Sequence, residues 1–116
     1  MCGRVAVVSS AEKLAQYLKV DKVLETLEED DCNIAPSSLL PIVWCNSTKS
    51  EKTQESLLKF RFLGTARWGL VPKWAKDPQI GIKMFNARSE TVATKLAYKR
   101  SFLYKRCLIP VDGFYE

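Results

Sequence analysis

At 116 residues, 47% of them hydrophobic and 27% charged, the chain has the make-up of one small globular domain with a limited core. No apolar run approaches membrane-spanning length and no basic-then-apolar leader opens the sequence, so an intracellular chain is expected, neither secreted nor membrane-bound. Its four cysteines, Cys2, Cys32, Cys45 and Cys107, then read as reduced thiols. With no C-x-x-C pair and no histidine, no zinc or other metal site is expected. The charge is uneven. Residues 1–58 hold 6 Lys and Arg against 9 Asp and Glu, giving −3, and residues 59–116 hold 12 against 4, giving +8, which together make the net +5. A basic second half fits a polyanion such as nucleic acid, although lysines kept for solubility give the same count.

In chain order, Arg4 to Val8 (RVAVV) is a β-branched run and predicts a strand. Ser9-Ser10-Ala11-Glu12 fits a capping box, and Leu14, Tyr17 and Leu18 behind it predict an amphipathic helix to about Lys19. Asp21 is placed to cap a second short helix through Val23, Leu24 and Leu27, followed by an acidic loop at 28–31. Cys32 to Ser37 reads as a turn, since Pro36 pushes Ala35 toward extended geometry. Leu39 to Cys45 predicts a strand whose Pro41 favours an edge position. Residues 46–55 are polar and aperiodic, as in a hairpin loop. Leu57 to Trp68 returns as a long strand, with Gly64 as a candidate bulge.

The stretch 69–78 predicts a turn, with one helical turn between its prolines. Lys83 to Arg88 looks extended. Ser89 is placed to cap a helix from Glu90 to about Leu96, and Lys105 to Val111 predicts a strand before an Asp112-Gly113 turn. The pattern is α+β: β-rich, with short helices as connectors. A new strand opens at Phe114 to Glu116, so the chain reads as a single, incomplete domain spanning 1–116, with an open sheet edge or apolar patch expected near its end.

The chemistry centres on Cys2. Once Met1 is removed, this residue carries an α-amine and a thiol on adjacent carbons. Such groups titrate near roughly 8 and 8.5 when unperturbed, so a 1,2-aminothiol is nucleophilic at neutral pH. Toward an aldehyde the amine forms an imine, the thiol adds to the imine carbon, and a five-membered thiazolidine closes. Alone, a cysteine here reads equally as a small apolar residue under the first strand.

Four stretches together are more specific: MCGR at 1–4, NIAP at 33–36, RWGLVPKWAKD at 67–77 with NARSET at 86–91, and RCLIPVDGFYE at 106–116. In this order they resemble the SOS-response-associated peptidase (SRAP) family, which includes abasic-site processing proteins. The resemblance covers the whole chain and corresponds to about the first half of such a domain. It implies a mostly antiparallel fold that binds single-stranded DNA and traps abasic sites, acting as a monomer, with no cofactor. Localisation would be cytoplasmic or at the nucleoid in a bacterium, and nuclear in a eukaryote. By motif position it implies Cys2 as the nucleophile, Asn86 as the amide that hydrogen-bonds the developing adduct, and Glu116 as the carboxylate for ring opening and proton transfer. Arg4 and Arg88 are implied as phosphate contacts, and Asn33, Pro36 and Trp68 as part of a DNA-facing surface. Intact family members also carry a histidine in their second half and a tryptophan directly after GFYE, and these 116 residues hold neither.

The residue types suit those roles. Asparagine orients an amine or hydroxyl without competing for protons, and arginine forks match phosphate. On residue type alone, Trp68, Trp74 and Asn86 read first as structural, as do Cys32, Cys45 and Cys107. Two other functions fit parts of the pattern: a cysteine peptidase acting on other proteins, and a non-catalytic single-stranded-DNA module carried by the basic half.

Overall fold

A computed structural model describes residues 2–27, 30–46 and 60–116. Two three-stranded sheets form its frame. In the first, strand β1 (Val5–Val7) is central, flanked antiparallel by β3 (Asp31–Ile34) and β6 (Gly113–Phe114). In the second, β5 (Phe60–Arg67) is central, antiparallel to β4 (Leu39–Asn46) and parallel to the two-residue β2 (Lys22–Val23). The helices are α1 (Ala11–Tyr17), a 3-10 helix (Pro78–Lys83) and α2 (Leu96–Tyr104). This is the α+β, mostly antiparallel arrangement expected from the sequence. None of the described helices is long and apolar enough to cross a membrane.

Each sheet has its own core. Val5 and Val7 point to one face of β1, and with Ile34 and Leu40 they form a buried cluster that Cys2 and Trp68 pack against. Leu14 of α1 packs with Val43 and Leu63, the last fully buried, with Ala11, Ala15, Leu18, Val20 and Leu27 around them. Leu40 and Val43, three positions apart and so on opposite faces of β4, belong one to each cluster, and this strand joins the two halves.

The β4–β5 ladder runs unbroken from Leu39 opposite Arg67 to Asn46 opposite Phe60. Val43 exchanges both backbone hydrogen bonds with Leu108 on its other side, at 2.9 and 2.8 Å. The backbone nitrogens at 43 and, two residues back, at 41 therefore face away from β5. Pro41, which has no N–H, costs the ladder nothing there.

Several expectations are corrected. The helix read after Asp21 is replaced by β2: the Leu24 amide donates to the Leu63 carbonyl, and the Asp21 carboxylate takes the Arg61 amide, a tertiary pairing with no local signal. Half of the turn read at Cys32–Ser37 is strand, and the turn itself is confined to Ala35–Ser38. Gly64 is not a bulge, because pairing runs straight through it. A Cβ there would press on the Trp44 ring, which stacks on Phe62 with centroids 5.8 Å apart. The bulge lies instead in β3, where three residue steps from Asp31 to Ile34 oppose two from Val7 to Val5.

Downstream, the turn read between Pro72 and Pro78 is present as one turn closed by the Ala75 amide on the Pro72 carbonyl at 2.9 Å, and a 3-10 helix follows from Pro78, capped by Asp77. Lys83 closes this 3-10 helix, so the extended reading of 83–88 does not hold at its first residue. The helix read from Glu90 to Leu96 is a set of turns, and α2 starts where that reading ends. Thr91, Val92 and Thr94 are β-branched and weak helix formers, whereas Leu96 to Tyr104 contains Leu, Ala, Lys and Arg. The strand read at 105–111 is reduced to the single bridge at Leu108. The loop at 46–55 and the start of the 57–68 strand fall mainly outside the described residues.

The end of β1 is tied to the segment before β6 by one carboxylate. Asp112 accepts from the Ser9 hydroxyl at 2.7 Å, the Val8 amide at 2.7 Å and the Ser9 amide at 2.9 Å. The Ser9 hydroxyl, then the two amides, hold its carboxyl below the usual carboxylate range. Because the unfolded value is about 3.9, the charged form stabilises the fold above that pH, and the contribution fades as pH falls through the lower folded value. The difference in Tm between wild type and Asp112→Asn is expected to be widest near neutrality and to close in acid. A difference of constant width from neutral to acid pH would show that the carboxylate is not what ties β1 to β6.

Candidate active site

The site forms at the head of β1, where the chain cannot move freely because β1 is paired on both edges. Cys2 is half-buried against the Val5–Val7–Ile34–Leu40 cluster, and its thiol points back to the Arg4 carbonyl at 3.5 Å. Asn86, also half-buried, donates its side-chain N–H to the Cys2 carbonyl at 3.0 Å. Two residues 84 positions apart are thus joined directly.

Asn86 lies in a segment with no regular secondary structure, so its orientation has to come from side-chain bonds. The Trp68 indole N–H donates to the Phe85 carbonyl at 3.1 Å, and the two rings meet edge-on with centroids 6.2 Å apart. The Tyr98 hydroxyl, from the first turn of α2, donates to the Asn86 carbonyl at 3.2 Å. Leu70 donates to the Met84 carbonyl at 2.9 Å. Gly69 makes this last contact possible, since its φ of 133° lies in the region that favours glycine and its backbone packs directly on Gly81.

Arg4 and Asn33 also meet. The β3 bulge turns Asn33 so that its side-chain oxygen accepts from the Arg4 guanidinium at 2.8 Å, while its own amide is held by Asp31 at 2.8 Å. Both side chains are exposed. Pro36 sits half-buried in the turn joining β3 to β4. Ser37 adopts a φ of 79° there, and its amide donates to the Trp68 carbonyl at 2.8 Å. Arg88 is exposed two residues beyond Asn86.

Glu116 is exposed, and the Tyr115 amide preceding it donates to the Arg4 carbonyl at 3.0 Å. The β1–β6 pairing ends at Val5 opposite Phe114, and Glu116 lies two residues past it on the side of Cys2. No hydrogen bond joins its carboxylate to Cys2 or Asn86 among the described residues. Cys2, Asn86, Arg4, Asn33 and Trp68 are therefore linked by contacts, Glu116 lies two residues past the paired end of β6, and Arg88 follows Asn86 by two residues.

Reading the sequence missed Tyr98, Gly69 and Asp112, which hold the site from outside it. Only Asp112-Gly113 had stood out, and then as a turn. Away from Cys2, a groove of about 660 Å³ between residues 71–74 and α2 gathers Lys73, Arg100 and Lys105 around the exposed Trp74.

The SOS response associated peptidase (SRAP) family model matches residues 1–116. The chain belongs to this family. It is 39% identical over 118 residues to the abasic site processing protein YoaM of Bacillus subtilis, covering all of this chain and 47% of that protein. It is 32% identical over 130 residues to the abasic site processing protein HMCES of Gallus gallus, covering all of this chain and 38% of that one. In fold it is similar to a crystal structure of a Bordetella bronchiseptica protein, with a TM-score of 0.67 over 99% of this chain and 50% of that one, at 20% identity. This SRAP chain spans about half the length of the Bacillus relative it matches.

Gly69→Ala tests how the site is held. The added Cβ would fall inside contact distance of the Gly81 carbonyl oxygen, in a backbone conformation that costs a side chain about 1–3 kcal/mol. Global stability is expected to fall by at least that amount, with faster hydrogen exchange at the Leu70 amide. A Gly69→Ala protein as stable and as protected as wild type would contradict this close approach.

Proposed function

We propose that this SRAP chain processes abasic sites in single-stranded DNA by covalent capture on Cys2 after Met1 is removed. The observation that carries this reading is the Asn86 side-chain bond to the Cys2 carbonyl, which fixes the residue bearing both nucleophiles against a second, independent part of the chain. The names of the relatives agree with it.

Removal of Met1 hydrolyses the Met1–Cys2 peptide bond and frees the α-amine, and a self-processing peptidase step is part of the proposal. An abasic sugar is mostly a closed hemiacetal. Glu116, past the paired end of β6 on the side of Cys2, takes the proton from the C1′ hydroxyl and returns one to O4′ as the C1′–O4′ bond breaks. The amine then adds to the aldehyde carbon and water leaves to give an imine. The thiol adds to the same carbon, its proton passes to nitrogen, and the thiazolidine closes. Preset geometry replaces two encounters by one, and well-oriented reactions gain about 7–11 kcal/mol in this way at best.

The neighbours supply binding. Arg4, steadied by Asn33, and Arg88 are placed to contact phosphates on either side of the damaged nucleotide. Pro36 and Trp68 shape the surface under the strand, and the groove with Lys73, Arg100 and Lys105 extends its positive field. We read residues 1–116 as the first part of an SRAP domain. This is supported by the length of the relatives and by the exposure of Leu108, Ile109, Phe114 and Tyr115 around the β6 edge.

The test is intact-mass analysis of the chain mixed with single-stranded DNA carrying one abasic site. Wild type is expected to give a species equal to the Met1-free chain plus the DNA, less one water. Cys2→Ala, prepared already free of Met1, is expected to lose that stable adduct while keeping some strand cleavage, because its α-amine still forms an imine and promotes β-elimination. Equal adduct yields from the two proteins would refute Cys2 as the nucleophile.

A further inference from the structure

We infer that Tyr98 is a positioning residue for Asn86: its hydroxyl, delivered by α2, sets the amide that holds Cys2. The peptide units on the two sides of the Asn86 Cα are each held by one side-chain donor. The Trp68 indole takes the Phe85 carbonyl and the Tyr98 hydroxyl takes the Asn86 carbonyl. A short side chain such as asparagine has two torsions, so its reach is set largely by the backbone that carries it. With both carbonyls held, the amide is aimed at the Cys2 carbonyl. With one released, the peptide after Asn86 can rotate and the 3.0 Å bond loses its fixed donor.

The helix supports this role. Helix α2 has no fully buried residue, and its half-buried positions are Ala97, Tyr98, Ser101 and Phe102. Tyr98 is half-buried on it, and its ring and hydroxyl reach back to residue 86. The N-cap position, Lys95, makes no side-chain cap, whereas the Tyr98 and Lys99 amides both bond to the Lys95 carbonyl. The first turn that carries Tyr98 is thus formed by backbone bonds. The link therefore runs from the α2 backbone through Tyr98 to Asn86 and then Cys2.

The kinetic consequence rests on the proposed aldehyde chemistry, while the structural one does not. Tyr98→Phe keeps the ring and removes only the hydroxyl. In the free protein, followed by NMR, the side-chain amide hydrogens of Asn86 are expected to exchange with solvent several-fold faster in Tyr98→Phe than in wild type. Unchanged exchange overturns the inference, whatever the chemistry.

With excess abasic single strand, Tyr98→Phe is expected to slow the maximal rate of adduct formation roughly three- to tenfold, the worth of one net hydrogen bond. Its Kd for an undamaged strand should not change. Combined with Asn86→Ala, Tyr98→Phe is expected to add no further loss, because Tyr98 acts through Asn86. An additive double mutant, or a wild-type maximal rate for Tyr98→Phe, overturns the inference. If wild type forms no adduct, the aldehyde reading fails and the exchange measurement alone decides for or against Tyr98.

Discussion

Strand β1 has only three residues, yet it is hydrogen-bonded on both edges. Antiparallel β3 lies on one side and antiparallel β6 on the other. Everything at the candidate site depends on that double pairing. The residues just upstream of a strand held this way inherit its position, so Cys2 is placed within the fold although it stands at the beginning of the chain. The Tyr115 hydroxyl, donating to the Cys32 carbonyl at 2.7 Å, adds a direct bond between the two outer segments. Asp112 locks the other end of β1 to the turn before β6. The first residues of a domain are ordinarily its least ordered part, and here the pairing of β1 holds Cys2 against the core.

The second requirement is a partner for Cys2 that is itself fixed. Asn86 lies in irregular backbone, where no ladder satisfies the carbonyls. Trp68 at the end of β5 and Tyr98 on α2 supply the missing donors from two different elements. Gly69 allows the chain between them to close on Gly81. Orientation is thus built from neutral hydrogen bonds, and no buried charge is involved. The cations lie outside this layer. Arg4 and Arg88 are both exposed.

Local pattern was enough for the elements that act alone. The β-branched run at 4–8, the aromatic and β-branched stretches of β4 and β5, and the Leu14–Leu18 stripe behind a serine cap all read correctly. The capping serine is Ser10, whose hydroxyl accepts from the Lys13 amide, one place beyond the capping-box reading. What could not be read is tertiary. Two residues become β2 only because β5 offers a parallel edge, and the β3 bulge exists only opposite β1. At the site, Cys2, Asn86 and Glu116 stood out through their motifs. Tyr98 carried no signal, because a tyrosine in a helical stretch looks the same whether its hydroxyl meets water or a carbonyl twelve positions earlier. Trp68 shows the converse. Its residue type pointed to stacking or packing, and the structure commits its N–H to Phe85.

The central claim is that amine and thiol of one residue end on the same carbon of the abasic sugar. Carbon-13 at C1′ of the abasic nucleotide reports on this directly, because its chemical shift distinguishes an aldehyde or imine carbon from a saturated carbon bonded to nitrogen and sulfur. After reaction with the Met1-free chain, the label is expected as the saturated thiazolidine carbon, and with the amine nitrogen of Cys2 labelled it should show a direct carbon–nitrogen coupling. A label that stays at the aldehyde or hydrated-sugar position, or that couples to a lysine nitrogen instead, would contradict capture by Cys2.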